Sequence, residues 1–363
     1  MITFHPSACA RGLLRAAALV VVIVSAGAAA YVVAPRVEAQ QNPPAAPAAA
    51  APVELHVLPV QGNISMIVGD GGNITMSVGE DGILLVDTGL AANADKLLEF
   101  VRTIAPGKPL RYIINTHVHA DHTGGNEKLG PVGSTIAGGN VGAGAGVGAS
   151  IIAHENVLNR MSAPVGTASP TPIAAWPTDT YFTKKKELYF NGESIVIEHE
   201  PNAHTDGDSF VYFRKSDVVS AGDIYVTTLF PIVDTMRGGN INGIIDALNR
   251  LIDITIPKDK QEGGTYVIPG HGRLSDEADV VEYRDMATII RDRIADAVKK
   301  GRTLQQVKDS KPVLDYEGRY GSNTGFWTTD AFVTAVYNDL SKAAAAAKPA
   351  APAKAATPAP KKN

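Results

Sequence analysis

Between residues 53 and 342, short apolar runs alternate with amphipathic stretches, and their order outlines a mixed α/β chain. Val53 to Val60 reads as a first strand. Ile64 to Val68 and Asn73 to Val78 flank Gly69-Asp70-Gly71-Gly72, a hairpin signal. Glu80-Asp81-Gly82 turns the chain into Ile83 to Val86, an uninterrupted apolar strand that ends at Asp87-Thr88-Gly89. Leu97, Leu98, Val101 and Ile104 recur at helical spacing over Ala92 to Ile104. The alternation continues through Arg111 to Ile114, Ser150 to Ala153, Glu155 to Met161, Ile195 to Ile197, Ser209 to Phe213, Val218 to Ala221, Ile241 to Ile252 and Tyr266 to Ile268. Asp276 to Lys300 is a long helical pattern, and Thr329 to Leu340 is a last one. Strands followed by helices, twice over, predict two sheets sandwiched between helices. The helices after residue 275 read as an appendage without a second core.

The ends of the chain depart from this pattern. Residues 40–52 and 343–363 are Ala/Pro tracts with too few bulky apolar residues to offset the entropy of ordering, so they read as a linker and a tail. Residues 1–39 read as an export signal: Arg11 and Arg15 precede the apolar run Ala16 to Val24, and Val37-Glu38-Ala39 offers a small-x-small cleavage point before Gln40. An uncleaved membrane anchor over Ala16 to Pro35 is the competing reading, since that stretch is about as long as a spanning helix needs to be. Either way the expected location is outside the cytoplasm, periplasmic or secreted.

Composition removes several chemistries. The chain has 363 residues, 45% of them hydrophobic and 19% charged, enough to bury a large core. The net charge of −4 combines +2 in residues 1–39, +4 in residues 343–363 and therefore −10 between them. An acidic core is a poor match for a phosphate backbone, which argues against a nucleic-acid partner. The single cysteine, Cys9, precedes the apolar run. Cleavage would leave a mature chain without disulfides, Cys-based metal sites or a Cys nucleophile. No Gly-x-Ser-x-Gly elbow occurs, and no Ser is followed by Lys three residues on. Gly138 to Gly148 lacks the register of a nucleotide loop and reads as a flexible insertion. Lys184-Lys185-Lys186 reads as a solvated turn before a strand.

The remaining chemistry gathers where strands end. Asn115-Thr116-His117-Val118-His119-Ala120-Asp121-His122 places three imidazoles and a carboxylate within six residues, directly after an apolar strand. Imidazole nitrogen with carboxylate oxygen suits zinc, with iron or manganese as substitutes. Three later residues each follow a strand of their own: His204, Asp223 at an expected strand terminus, and His271 between Gly270 and Gly272. His56, His154 and His199 fall on or beside strands and read as packed or solvated side chains.

This order of motifs resembles the metallo-β-lactamase superfamily: His-x-His-x-Asp-His, then His204, then Gly222-Asp223, then Gly270-His271-Gly272, with Asp87 at an earlier strand end. The resemblance covers about residues 53–300. It implies an α/β (α+β) αββα sandwich, with residues 301–342 as C-terminal helices packed on it. It also implies two zinc ions. His117, His119 and His204 would bind the first, Asp121, His122 and His271 the second, and Asp223 would bridge both. Asp87 would hold the metal-binding loop by hydrogen bonds. The implied reaction is attack on a carbonyl by hydroxide made between two cations about 3.5–4 Å apart. Asp121 would orient that nucleophile and move its proton to the leaving group.

The resemblance narrows the substrate less than the reaction. His119 stands where flavodiiron oxygen reductases would carry Glu. Asp223 replaces the ligand of the Cys-using β-lactamases, and Val226 stands where they carry a substrate-binding Lys. The expectation is a β-lactam or related cyclic amide or ester. A lactone or thioester is the alternative, and an iron-dependent sulfur dioxygenase the reading outside hydrolysis. Leu229, Phe230, Pro231 and Ile232 form either an apolar substrate wall or a packed connection.

Overall fold

The computed structural model describes residues 54–135, 148–163 and 170–346. The expected export signal, the linker and nearly all of Gly138 to Gly148 lie outside those residues. The first half of the chain forms β1 (His56–Gln61), β2 (Ile64–Val68), β3 (Ile74–Val78), β4 (Ile83–Val86), α1 (Ala94–Ile104), β5 (Leu110–Ile114), α2 (Ala120–Thr123), α3 (Asn126–Val132), β6 (Ser150–His154), α4 (Glu155–Ser162) and β7 (Asp179–Tyr181). The second half forms β8 (Lys185–Phe190), β9 (Glu193–His199), β10 (Ser209–Phe213), β11 (Val218–Val226), α5 (Ile241–Ile254) and β12 (Tyr266–His271), then α6 (Glu277–Lys299), α7 (Leu304–Asp309), α8 (Glu317–Tyr320) and α9 (Thr329–Ala346). No helix among the described residues is long and apolar enough to cross a membrane.

The strands build two sheets. One has seven strands in sequence order, β1 to β7; the other has five in the order β12-β11-β10-β9-β8. The hairpins β1 to β4 are antiparallel, whereas β4 to β7 run parallel because helices return the chain between them. Strands β4 and β11 are buried at every position, which explains their unbroken apolar runs. Leu84 and Val86 of β4 face Phe190, Ile197, Val211 and Phe213 in the layer between the sheets. Ile83 and Leu85 face the other way, toward Leu97 and Val101 of α1. On the outer face of the second sheet, Phe210, Val219 and Val267 pack with α5, α6 and α9. The result is the αββα sandwich expected from the sequence.

Several elements differ from the sequence reading. The Lys184-Lys185-Lys186 run is not a solvated turn, because Lys185 and Lys186 open β8. Lys185 Nζ and Lys184 Nζ lie 3.0 and 3.5 Å from the Glu198 carboxylate. Arg250 donates to both oxygens of that carboxylate at 2.9 Å. Asp223 does not end its strand, which continues to Val226. The Ala-rich tail begins later than residue 343, since α9 extends to Ala346 on the best helix former. The late helices share the main core: Phe332 of α9 stacks on Phe230 with centroids 4.8 Å apart, and Tyr283 of α6 is fully buried against both Tyr225 and Tyr320.

Glu200 follows β9 and is buried, with Oε1 lacking a hydrogen-bond partner among the described residues. Burial, and then the charge of Glu198, push its carboxyl up to about 8 from an ordinary 4.5. The folded chain therefore holds a proton that the unfolded chain releases, so this group subtracts stability as pH rises through that window. Glu200→Gln stays neutral throughout. Its urea midpoint should match wild type near pH 5 and exceed it near pH 8.5. A difference that does not change with pH would show that Glu200 ionises normally.

Candidate metal centre

The seven residues singled out from the sequence converge at one edge of the sandwich. His117 follows β5, and His119 sits at the start of α2, whose first turn carries Asp121 and His122. His204 lies between β9 and β10, Asp223 within β11, and His271 at the end of β12. The β11–β12 register shifts between Ser220 and Gly222 and again before Val226. Gly222 has φ +53, and a Cβ there would meet Thr116 Oγ1 at 2.7 Å. This break in the ladder turns Asp223 toward the histidines from the interior of a strand. Gly270 passes so close to Asp223 Oδ1 that a Cβ would collide with it.

The donors form two groups, His117 with His119, His204 and Asp223, and Asp121 with His122 and His271, each with its ligand atoms within 4.8 Å of one another. In the first, His119 Nδ1 lies 3.2 Å from His117 Nε2 and 2.9 Å from His204 Nε2. In the second, His271 Nε2 lies 3.3 Å from His122 Nε2 and 3.1 Å from Asp121 Oδ2. Asp223 faces both. Its Oδ2 lies 3.9 Å from His117 Nε2 and 3.7 Å from His204 Nε2, and its Oδ1 lies 3.1 Å from His122 Nε2 and 3.5 Å from His271 Nε2.

The outer hydrogen bonds set what the inner atoms present. Asp87 is buried and accepts from the Thr116 N–H at 2.8 Å, the Thr116 hydroxyl at 2.7 Å and His122 Nδ1 at 2.8 Å. With its proton given to Asp87, the Thr116 oxygen accepts from His117 Nδ1 at 3.0 Å. His204 Nδ1 donates to the Ile232 carbonyl at 2.6 Å, and His119 Nε2 to Asp234 Oδ2 at 2.8 Å. In its neutral form each of these four imidazoles is thereby left with a lone pair on its inner nitrogen. Lone pairs facing one another at hydrogen-bond distance repel unless a proton or a cation lies among them. Asp223 Oδ1 is likewise buried, facing ring nitrogens at His122 Nε2 (3.1 Å) and His271 Nε2 (3.5 Å). This donor set fits metal cations.

Electrostatics agree. Burial, and then the neighbouring His122, hold His117 well below the usual imidazole range. Burial, helped by the neighbouring His119 and His122, brings His204 to about 4 despite Asp223. Burial also opposes charge on His122, but Asp223 and Asp87 outweigh it and hold that imidazole well above its ordinary value. In the metal-free protein His122 keeps a proton that a cation would displace. Asp223 is held far below the ordinary carboxylate range; burial opposes this, and His122 outweighs it.

Asp234 carried no signal in the sequence. It lies in an irregular connection, where its partner His119 is 115 residues away. Its Oδ1 accepts the Met236 and Arg237 N–H groups and its Oδ2 accepts Arg237 Nη1 at 2.7 Å, so the carboxylate is fixed before it meets His119. Asp234→Ala should free the His119 ring and weaken metal binding about 10–100-fold. Competition with a chelator measures this, and unchanged affinity would show that the hydrogen bond plays no part. The segment Leu229 to Ile232 divides between the two readings open to it. Phe230 is packed in the core, whereas Ile232 lines a cavity together with His119 and Asp121. His154 and His199 stack on each other with centroids 3.6 Å apart, outside the cluster.

The sandwich, the cluster at its edge and the order of its ligands define a metal-dependent hydrolase fold. Residues 59–271 match the metallo-beta-lactamase superfamily, and the chain belongs to that superfamily. Among solved structures it is similar to the stereoselective inverting sec-alkylsulfatase Pisa1 from Pseudomonas sp., with a TM-score of 0.58 and 17% identity over 78% of this chain. The chain spans only 50% of that protein. It is also similar to the metallo-beta-lactamase from Pontibacter korlensis, with a TM-score of 0.50 and 16% identity, over 65% of this chain and 99% of that one. Comparison with curated proteins finds no match.

Proposed function

We propose that the protein is a dinuclear-zinc hydrolase that opens a carbonyl substrate, a β-lactam or a related cyclic amide or ester. The observation that carries this reading is the pair of donor groups with one Asp223 oxygen facing each. His117, His119 and His204 would hold one ion, Asp121, His122 and His271 the other, and Asp223 both. Bound there, the ions would supply Lewis acidity and a water whose pKa falls toward about 7. Asp121 is half-buried and lines the adjoining cavity. Burial opposes its ionisation, but the His271 hydrogen bond and the charge of His122 outweigh it, so its carboxyl lies below the ordinary value. It can therefore orient the attacking water and carry a proton to the leaving group at neutral pH.

A secondary alkyl sulfate is the second reading, favoured by the apolar side chains of that cavity, Ile232, Met236, Phe326 and Trp327. Metal analysis, followed by turnover of a chromogenic cephalosporin, lactones, thioesters and a secondary alkyl sulfate, separates these. Chelation should abolish turnover and zinc restore it. One iron without zinc would overturn the zinc assignment, and a two-zinc protein inert on every carbonyl substrate would overturn the first reading. Export belongs to the same proposal. Activity in the periplasmic or medium fraction, with an N-terminus at Gln40, would support it, and retention in the cytoplasm would refute it.

A further inference from the structure

The cavity beside the cluster has a volume of about 600 Å³, within the range of small-molecule sites. His119 and Asp121 line one side of it, so it is continuous with the donor groups. The rest comes from two distant stretches: Ile232, Met236 and Arg237 before α5, and Phe326, Trp327 and Ala335 around the start of α9. The second stretch lies beyond residues 59–271, the part that matches the superfamily. It is nevertheless firmly placed. Thr329 N–H donates to the Ser322 carbonyl at 2.8 Å, Ser322 N–H to Thr329 Oγ1 at 3.1 Å, and Trp327 packs against the helical core.

The chemistry of the wall selects its occupant. Met236 and Phe326 are 86% and 78% exposed, a large apolar area left open to water where the cavity opens. Among the described residues, the charges on the wall besides Asp121 are Asp234 and Arg237, and these are paired with each other at 2.7 Å, with Asp234 also bound to His119. Away from Asp121, the described residues of the wall therefore offer no unpaired charge to recognise an ionic group. We infer that Phe326 and Trp327, together with Met236, form the specificity wall of the site, and that the substrate carries a bulky, uncharged apolar group, aryl or long or branched alkyl, next to the bond that is cut. This rests on the proposed hydrolytic reading, but holds for a carbonyl or a sulfate ester alike.

Two measurements test it separately from that reading. The chain has two tryptophans, so Trp176→Phe leaves Trp327 as the single tryptophan, excited selectively at its red edge. Metal-free Trp176→Phe protein titrated with N-phenyl-1-naphthylamine, an uncharged apolar probe, should show saturable energy transfer from Trp327. Adding Phe326→Ala and Met236→Ala should weaken probe binding at least 10-fold; both side chains are exposed, so the fold should survive. In the zinc-loaded protein, kcat/KM along a series of 4-nitrophenyl esters should rise about 4-fold per added methylene, the equivalent of ~0.8 kcal/mol. That gradient should flatten in the double variant through KM. Probe binding indifferent to both substitutions, or equal kcat/KM for the acetate and octanoate esters, would overturn the inference even if hydrolysis is found. Probe binding that depends on Phe326 in a protein without esterase activity would support the wall and count against the carbonyl reading instead.

Discussion

Asp223→Asn should give a folded protein that has lost most of its second metal and about 10²–10³-fold of its turnover, the scale of removing one preorganised electrostatic partner. Asp223 Oδ2 faces His117 and His204, while Oδ1 faces His122 and His271, so one carboxylate serves both donor groups. The amide keeps the shape but removes the negative charge that would offset two cations, and it turns one oxygen into an N–H donor facing imidazole lone pairs. Asp206 supplies the contrast. It is two residues from His204, yet its carboxylate binds Arg160 at 2.7 Å and takes no part in either group. Asp206→Asn should cost the roughly 0.2–1 kcal/mol of a partly exposed ion pair and leave metal content intact. Metal stoichiometry and turnover of the two variants decide the matter. Equal effects, or an active Asp223→Asn enzyme with two tightly held metals, would disprove the bridging role.

Asp87→Asn should be damaging through the fold as well as the site. Three donors converge on this buried carboxylate, so an amide in its place must point its NH2 at one of them. A buried donor left unpaired costs about 1–3 kcal/mol. The backbone is not the cause: Asp87 has φ 65, and asparagine tolerates the left-handed region as well as aspartate does. The same change releases the chain Asp87–Thr116–His117 and the Asp87–His122 bond, which together set the inner nitrogens of two imidazoles. The metal-free variant should melt several degrees below wild type, and the zinc-treated variant should bind less than the full complement. An unchanged melting temperature with full zinc content would rule out this role.

Much of the centre was legible because its ligands follow strands. A run such as Ile83 to Val86, buried on both faces, leaves polar residues only at its end, and Asp87 stands there. β5 ends in the buried pair Ile113-Ile114, and the polar run Asn115-Thr116-His117 follows it. Asp223 is the exception: it stands within β11 and not after it, where a register break permitted by Gly222 exposes it to the site. Local pattern shows an apolar strand, but a bulge depends on how a neighbouring strand pairs. β8 begins two residues earlier than its pattern suggests because its lysines mask its start; Lys185 is an outward residue held by Glu198, which follows it by 13 positions.

By itself, then, the sequence determined the two-sheet sandwich through apolar periodicity, and it marked the seven side chains through the His/Asp cluster after β5 and through the resemblance of the whole motif order to the superfamily. Only the tertiary structure decided how those side chains are held and what lies beside them. The Asp234 bond to His119 joins residues 115 apart, and the wall built by Phe326 and Trp327 depends on α9 stacking through Phe332 onto Phe230. These are contacts between surfaces of separate elements, set by packing that brings distant residues together, and no periodicity along the chain encodes them.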